Sequence, residues 1–334
     1  MRRLRILIWH VHGSYLYYLS HLPHDFYVPV APGRPPGYVG LPGGGFPWPN
    51  NLHEVPADEV RGLHLDCVIA QSLDQYRDGP ERLRLTAEQR RAPRIYLEHD
   101  PPRGHPTDTR HPVDDPNVLL VHVTAFNALM WDAGQTPTRV IEHGVVVPDG
   151  VVYSGEIPRA LAVVNHIARR GRRLGHDVLR RVRTRVPVDL VGMGAREADG
   201  LGEVPHRELP AFEARYRVFF NPIRYTSLGL AVCEAMMIGM PIVGLATTEM
   251  VTVVENGVSG YLETDPDRLA GRLAALLDEP AWARALGDGA RRHARDRFHI
   301  QRFTRDWNDA LRLVTGTSVP RGSGLVDRAI GAPR

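Results

Sequence analysis

The chain has 334 residues, of which 43% are hydrophobic and 24% charged, with a formal net charge of +3 at neutral pH. This length suits two domains better than one core. All 41 residues counted as lysine or arginine are arginine; they are scattered, and no recognisable module accompanies them, which excludes dedicated nucleic-acid binding.

Short apolar strands alternate with helical stretches in both halves of the chain, a pattern typical of an α/β fold with parallel sheets. In the first half we predict strands at 4–9, 26–30, 66–70, 94–97, 118–123 and 139–141. Residues 125–132 are predicted as a helix, and 15–19 as a helix or a covering loop. Residues 4–9 follow a basic start but are too short an apolar stretch for a signal peptide, so a buried strand is the better reading.

Two long segments of the first half are rich in proline and glycine, 31–50 and 101–116. Long loops of this kind are often functional.

A change of composition at 145–157 predicts a linker, after which the alternation resumes. The second half is predicted to contain strands at 160–164, 188–191, 218–220 and 242–243. Its predicted helices are 172–184, 208–214, 228–238, 266–278, 280–297 and 302–314. We expect residues 316–334, rich in Gly, Ser, Pro and Arg, to be a disordered tail.

The cysteines and the apolar stretches both bear on the compartment in which the chain is expected to function. Cys67 and Cys233 lie inside apolar stretches without disulfide or metal spacing, which favours a reducing cytoplasm. No stretch of about 20 apolar residues is present, so we expect no transmembrane segment, and peripheral membrane contact stays open. Asp265-Pro266-Asp267 has the spacing of an Asp-x-Asp metal motif but is expected to cap a helix, so we predict no metal site.

Residues 217–244 are the most informative segment: they predict a strand, a glycine-containing turn, a helix and a second strand. A helix start offers backbone N–H groups without internal partners, which favours phosphate and hydroxyl ligands. Glu234, flanked by apolar residues, would lie about two turns into the helix. The segment therefore suggests a sugar–phosphate ligand, or else an ordinary βαβ crossover with a solvated glutamate.

These residues resemble the family-4 retaining glycosyltransferases of GT-B fold, also called glycosyl transferases group 1. The resemblance rests on Gly229, Glu234-Ala235, Gly239 and Pro241, which fall in register with the family pattern. Thr226 stands where the family has the first glutamate of its Glu-x7-Glu pair, which holds hydroxyls of the donor sugar. Residues 139–145, 188–194 and 255–261 are similar to further landmarks of the family.

The resemblance also implies how a donor diphosphate would be bound. Arg170 takes the position of the family's lysine, which binds the diphosphate and stabilises charge on the departing nucleotide, and arginine is a good phosphate ligand. The family's arginine position falls on Val164 or Asn165, a loss for which Arg169 or His166 could compensate. The alternative is a solvated basic loop.

In the first half, the resemblance points to two loops. Gly13 follows the first strand and would allow the backbone to approach the donor. His99 follows a later strand, at a position where many relatives have a histidine facing the reacting sugar; a purely structural histidine is the alternative.

The resemblance implies a GT-B fold, with two Rossmann-like domains facing across a cleft and a C-terminal helix returning to the first domain. We predict an acceptor-side domain at 1–150, a nucleotide-sugar-binding domain at 151–297 and a crossover helix at 298–315.

The implied activity is metal-independent, retaining transfer of a sugar from a UDP- or GDP-sugar to an unknown acceptor, without a cofactor, in a bacterial cytoplasm. The predicted catalytic residues are His99 and Arg170. The predicted donor-binding residues are Gly13, Asn165, Arg169, Arg170, Val204, Thr226, Ser227, Leu228, Gly229, Leu230 and Glu234. Alternatives are a non-catalytic GT-B partner subunit or pseudoenzyme that binds nucleotide sugars, and a sugar-nucleotide epimerase. The oligomeric state stays open.

Overall fold

The computed structural model describes residues 2–41 and 45–316. Apart from Gly316, the predicted disordered tail lies outside the described residues. The described strands form two parallel sheets, one in each half of the chain. The predicted α/β architecture is therefore confirmed.

The first sheet has seven strands in the order β3-β2-β1-β4-β5-β6-β7. Its strands are β1 (Arg5–Ile8), β2 (Asp25–Val30), β3 (Leu52–Pro56), β4 (Cys67–Ala70), β5 (Arg94–Glu98), β6 (Val118–His122) and β7 (Thr138–Val140). Every residue of β4 and β6 is buried. Parallel sheets are covered on both faces, so their central strands appear in the sequence as continuous apolar runs.

The second sheet has five strands in the order β12-β11-β10-β8-β9. They are β8 (Ile157–Val163), β9 (Val188–Val191), β10 (Tyr216–Asn221), β11 (Ile242–Leu245) and β12 (Gly260–Glu263). The segment between β7 and β8 contains no helix or extended strand. Its role as an interdomain linker stays a prediction. The exact domain boundary at residue 150 stays a prediction.

Thirteen α-helices are assigned within the described residues. They are α1 (Gly13–Leu19), α2 (Leu73–Arg77), α3 (Gly79–Arg82), α4 (Ala87–Arg90), α5 (Ala125–Met130), α6 (Ile167–Arg170), α7 (His176–Arg183), α8 (Leu209–Glu213), α9 (Leu230–Ile238), α10 (Met250–Val253), α11 (Pro266–Asp278), α12 (Pro280–Arg297) and α13 (Ile300–Thr315). Asp265 caps α11, its side chain accepting a hydrogen bond from the backbone N–H of Asp267, as predicted.

The basic helix predicted at 172–184 is shorter than expected. Residues Gly171–Leu174 form a 3₁₀ turn, and α7 begins only after Gly175. Gly175 has φ +76°, and a Cβ there would lie 1.9 Å from the carbonyl oxygen of Pro222. Only glycine permits both this backbone and this contact, which packs the loop after β10 against the start of α7.

The C-terminal helix α13 packs on the first half of the chain. It buries Phe303, Trp307 and Leu311. Trp307 donates a hydrogen bond from Nε1 to the hydroxyl of Tyr15 on α1, at 3.1 Å. A second polar contact joins His24 Nε2 and Asn308 Oδ1 at 3.0 Å. This arrangement agrees with the returning helix that the resemblance implies.

Candidate functional site

The two sheets face each other across a cleft that is bordered by loops at the carboxyl ends of their strands. Hydrogen bonds link the loops from both sides. Tyr18 on α1 reaches Glu234 on α9, and His143 after β7 reaches the carbonyl of Leu228. Tyr225 after β10 donates to the carbonyl of Pro102 at 3.0 Å. Ligands of open α/β folds bind at this end of the strands, so the cleft is the candidate site.

The segment from β10 to α9 places a helix start at the cleft. Gly229 precedes the helix in an extended conformation, and no side chain caps the first turn. A Cβ built on Gly229 would meet no atom within 4 Å. Free N–H groups therefore border open space, an arrangement that suits an anion. Leu230, the first helical residue, is half-buried beside this space.

Glu234 lies on α9 and is buried, at 5% exposure. Its Oε1 accepts a hydrogen bond of 2.6 Å from the Tyr18 hydroxyl. Burial raises the pKa of Glu234, and the bond from Tyr18 opposes this rise. No described side chain donates a hydrogen bond to its other oxygen, which leaves one acceptor for a ligand.

A second glutamate, Glu213 at the end of α8, lies close to Glu234. It is fully buried, and neither carboxyl oxygen has a hydrogen-bond partner among the described residues. Burial and, to a smaller extent, the charge of Glu234 raise the pKa of Glu213 well above its ordinary value. Both effects favour the protonated, neutral form of Glu213 beside Glu234.

Two arginines lie on α6, after β8, and Arg170 is close enough to Asp100 and Arg103 of the first half to interact with their charges. Arg169 is exposed and Arg170 is half-buried on α6. No described carboxylate forms an ion pair with either side chain. Burial lowers the pKa of Arg170, as does the nearby Arg173, while Asp100 opposes the shift. Arginine still keeps its charge, so the loop after β8 carries positive charge that no described carboxylate pairs. Binding of a donor phosphate there stays a prediction.

The Asn165 side chain is hydrogen-bonded within the protein and helps to shape this loop. Its Oδ1 accepts a hydrogen bond of 2.8 Å from the backbone N–H of Met193, in the glycine turn after β9. The next residue, His166, adopts the left-handed conformation with φ 53° and precedes α6. Asn165 thus couples two loops of the second sheet, and direct contact with a donor stays a prediction.

His99 follows β5 and faces His12, with ring centroids 4.5 Å apart. Its Nε2 lies 2.8 Å from Oε1 of Gln71, whose own amide nitrogen donates to the carbonyl of Trp9. This places the proton of His99 on Nε2 and leaves Nδ1 as an acceptor. Burial lowers the pKa of His99 well below its ordinary value, and His12 and His143 lower it further. His99 is therefore neutral.

Gly13 begins α1, but the space beside it is filled. A Cβ on Gly13 would lie 2.5 Å from Cε2 of Phe46, which belongs to the proline- and glycine-rich loop. The glycine therefore lets this loop pack over the first helix. Its approach to a donor phosphate stays a prediction.

The remaining predicted residues lie along the same border. Thr226 donates a hydrogen bond of 3.4 Å to Oδ1 of Asp100, across the cleft. Ser227 is buried and its carbonyl accepts from Thr248 at 3.5 Å. Val204 is half-buried, two residues before His206, whose ring lies 4.6 Å from that of Phe46.

Sequence reasoning did not select four residues that the structure brings to the cleft: Tyr18, Asp100, His143 and Glu213. His143 donates from Nε2 to the carbonyl of Leu228 at 2.8 Å, and burial lowers its pKa to about 4. His143 lies inside the segment 139–145 that carried the resemblance, and Asp100 directly follows the predicted site residue His99, so their strand-end positions were an available signal. Tyr18 and Glu213 gave none, because their contacts arise only in the folded chain.

Two further observations bear on ligands and membranes. Within residues 2–41 and 45–316, no group of three or more His, Cys, Asp or Glu side chains is arranged to hold a metal ion. In the same part of the chain, every helix is too short or too polar to cross a bilayer.

Comparison with known proteins gives matches to sugar-transferring enzymes. Residues 174–279 match a family model described as glycosyl transferases group 1. A D-inositol 3-phosphate glycosyltransferase 1 of Catenulispora acidiphila is 39% identical over 92 residues, which are 27% of this chain and 22% of that protein. A trehalose synthase of Pyrococcus horikoshii is 26% identical over 145 residues, 43% of this chain and 31% of that protein. The matched parts thus span less than a third of these relatives.

Solved structures resemble almost the whole chain. A sucrose-phosphate synthase of Thermosynechococcus elongatus superposes with a TM-score of 0.69 at 16% identity, covering 95% of this chain and all of the other. The HepE protein of Anabaena, solved with UDP and glucose, gives a TM-score of 0.64 at 13% identity, covering 93% and 100%. At such identity the likeness establishes the fold.

Proposed function

We propose a glycosyl transfer reaction for this chain, on the premise that it belongs with the group 1 glycosyl transferases of GT-B fold, as residues 174–279 and the two-sheet architecture indicate. The donor would be a UDP- or GDP-sugar and the acceptor a hydroxyl compound. Transfer would proceed with retention and without a metal ion or other cofactor.

The observation that carries this proposal is the unpaired positive charge of Arg169 and Arg170 in the cleft that α9 enters with its free N–H groups. A nucleoside diphosphate leaving group gains negative charge as the anomeric C–O bond breaks. Fixed donors aimed at that charge stabilise the transition state more than the ground state. Arg170 would supply one such donor and the first turn of α9 the others.

The opposite side of the cleft would position the sugar and the acceptor. His99 is neutral and has a free acceptor at Nδ1, so it would accept a hydrogen bond from a hydroxyl without contributing charge. In front-face transfer, the acceptor oxygen bonds to the anomeric carbon as the diphosphate oxygen leaves. The acceptor proton passes to that leaving oxygen, so no protein base is required. The protein's role is then orientation.

Glu234 would accept a hydrogen bond from a ribose hydroxyl of the nucleotide. Its free carboxyl oxygen and its buried position support this role, because hydrogen bonds to a desolvated carboxylate are strong. Tyr18 would hold the carboxylate in place from the first domain.

One observation favours the second candidate, a nucleotide-sugar-binding protein without transferase activity. Thr226 supplies no carboxylate where the related enzymes hold the donor sugar. Binding without turnover is the outcome that this reading predicts.

The test is to incubate the full chain with UDP-glucose, UDP-N-acetylglucosamine and GDP-mannose, with and without a panel of hydroxyl acceptors, and to measure nucleotide release. We expect acceptor-dependent release of UDP or GDP that Arg170→Ala slows by about 100- to 1000-fold. Arg180→Ala, at an exposed position of α7, is the matched control and should retain activity. Binding without release under all acceptors would favour the second candidate, and absence of any binding would refute both.

A further inference from the structure

Position 226 raises the question of which group holds the donor sugar. Thr226 offers one hydroxyl, whereas a glutamate would offer a charged group with two acceptor oxygens. The Thr226 hydroxyl donates to Oδ1 of Asp100 at 3.4 Å. The Asp100 carboxylate of the first domain therefore contacts Thr226, the position of the second domain at which a glutamate carboxylate is missing.

Two hydrogen bonds to the backbone of Asp100 hold this residue in place. It follows His99 at the carboxyl end of β5, and its N–H donates to Oε1 of Glu98 at 2.8 Å. Its carbonyl accepts a hydrogen bond of 2.8 Å from Nε1 of Trp131. Anchored on both sides, the residue projects a carboxylate from a rigid element, as a specificity-determining group requires.

The Asp100 carboxylate forms an ion pair with an arginine and retains an accessible oxygen. Arg103 pairs with Oδ2, and the side chain keeps 23% exposure. The contact of Oδ1 with Thr226 is long for an O–H···O hydrogen bond, so a sugar hydroxyl would compete for this oxygen readily.

The position of Asp100 also relates it to the proposed phosphate site. Burial lowers the pKa of Arg170 and of His12, and the charge of Asp100 opposes both shifts, so its carboxylate lies near the arginine side and the histidine side of the cleft. Tyr225, next to Thr226, is bonded to the carbonyl of Pro102. The loop carrying Asp100 and the loop carrying Thr226 therefore dock by two hydrogen bonds in this closed arrangement.

We propose that Asp100 and Thr226 together form the acceptor for a hydroxyl of the donor sugar, with the Asp100 carboxylate taking the place of the missing glutamate. The assignment rests on the proposed function. Because Asp100 comes from the first domain, sugar recognition is complete only when the two domains are closed. A nucleoside diphosphate, which lacks the sugar, does not use this contact.

The test compares two affinities in each variant of the full chain, by calorimetric titration with UDP-glucose and with UDP, or with GDP-mannose and GDP if the guanine nucleotides bind. Asp100→Asn is expected to weaken binding of the nucleotide sugar by about 10- to 100-fold, the range for a lost hydrogen bond to a charged group. Affinity for the diphosphate alone should stay within about twofold, since it does not use this contact. Asp108→Asn, at an exposed position of the same loop, is the control and should change neither affinity.

Two further variants protect the test against a folding defect. Thr226→Val removes the hydroxyl, leaves Asp100 in place and should lower the sugar preference by a few-fold, as loss of a neutral hydrogen bond does. Thr226→Glu added to Asp100→Asn restores a carboxylate from the other domain and should recover the preference.

An unchanged ratio of the two affinities in Asp100→Asn overturns the assignment, whether or not both ligands are weakened, as does a lowered ratio that Thr226→Glu does not recover. If the unaltered chain binds neither diphosphates nor nucleotide sugars, the proposed function itself fails. The two failures are therefore distinguishable.

Discussion

The two sides of the cleft differ in how they present charge. The second domain contributes Arg169 and Arg170, which no described carboxylate pairs, and a helix start with free N–H groups. The first domain contributes His99 and His143, which burial keeps neutral. In the proposed function this difference separates two roles: one side would neutralise a phosphate and the other would orient hydroxyl groups.

The largest effect is expected at the charged side. Arg170→Ala should lower kcat/KM for transfer by about 100- to 1000-fold, the range seen when one donor to a developing negative charge is removed. Steady-state kinetics with the acceptor found in the release assay would measure it. A loss of the same size in Arg180→Ala would mean that overall positive charge, and not position, matters.

Glu234→Gln tests the nucleoside end of the same side. We expect both a nucleoside diphosphate and its nucleotide sugar to bind about 10- to 100-fold more weakly, because the ribose contact is common to them. Titration calorimetry measures both. Glu213→Gln is the control, since Glu213 is fully buried and burial favours its neutral form, which the amide resembles; this variant should bind both ligands normally. A defect confined to the nucleotide sugar would contradict the ribose assignment.

The neutral histidines of the first domain should make the stability of the folded chain depend on pH. Burial lowers the pKa of His143 from 6.5 to about 4 in the folded chain. As the pH falls, His143 of the unfolded chain therefore takes up a proton before His143 of the folded chain does. The contribution of this residue to the free energy of unfolding is fully present above pH 6.5 and is lost as the pH falls towards 4. At pH 5 the loss from this residue is about 2 kcal/mol.

Urea denaturation between pH 7 and pH 4.5 would test this dependence. His143→Asn keeps an N–H donor for the Leu228 carbonyl but does not titrate, so its stability should fall less steeply with decreasing pH. His21→Asn, at an exposed position, should keep the steep dependence. An identical slope in His143→Asn and the unaltered chain would show that His143 is not held neutral.

The smallest effect is expected where the two sides meet. Tyr225→Phe removes the hydrogen bond to Pro102 and should lower the preference for nucleotide sugar over diphosphate by a few-fold. The same pair of titrations measures it. A reduction as large as that of Asp100→Asn would mean that docking of the loops, and not the carboxylate, determines sugar binding.

Most donor-binding residues predicted in the second domain lie within 164–171 and 226–234, where local structure alone brings them to one edge of the sheet. Their contact with a donor stays a prediction. The strand β12 of this domain was missed. The helix predicted at 172–184 was wrong at its start because Gly175 meets the carbonyl of Pro222, a tertiary contact. The strand β3 was missed because it is a short edge strand with only two buried residues.

The contacts between the domains could not be read from the sequence. Tyr18 and Glu234 are 216 positions apart, and Thr226 and Asp100 are 126 apart. Such pairs follow from the packing of complete domains, and no periodicity or spacing in the chain encodes them. The missing glutamate was visible from the sequence, whereas the carboxylate opposite it was visible only in the fold.

The most direct test of a donor site shared by both sides is a crystal structure of the chain with a bound UDP- or GDP-sugar. Our account predicts the diphosphate between Arg170 and the start of α9, the ribose at Glu234 and a sugar hydroxyl at Asp100. A nucleotide sugar bound outside this cleft, or bound in it with its diphosphate away from Arg170, would contradict the account.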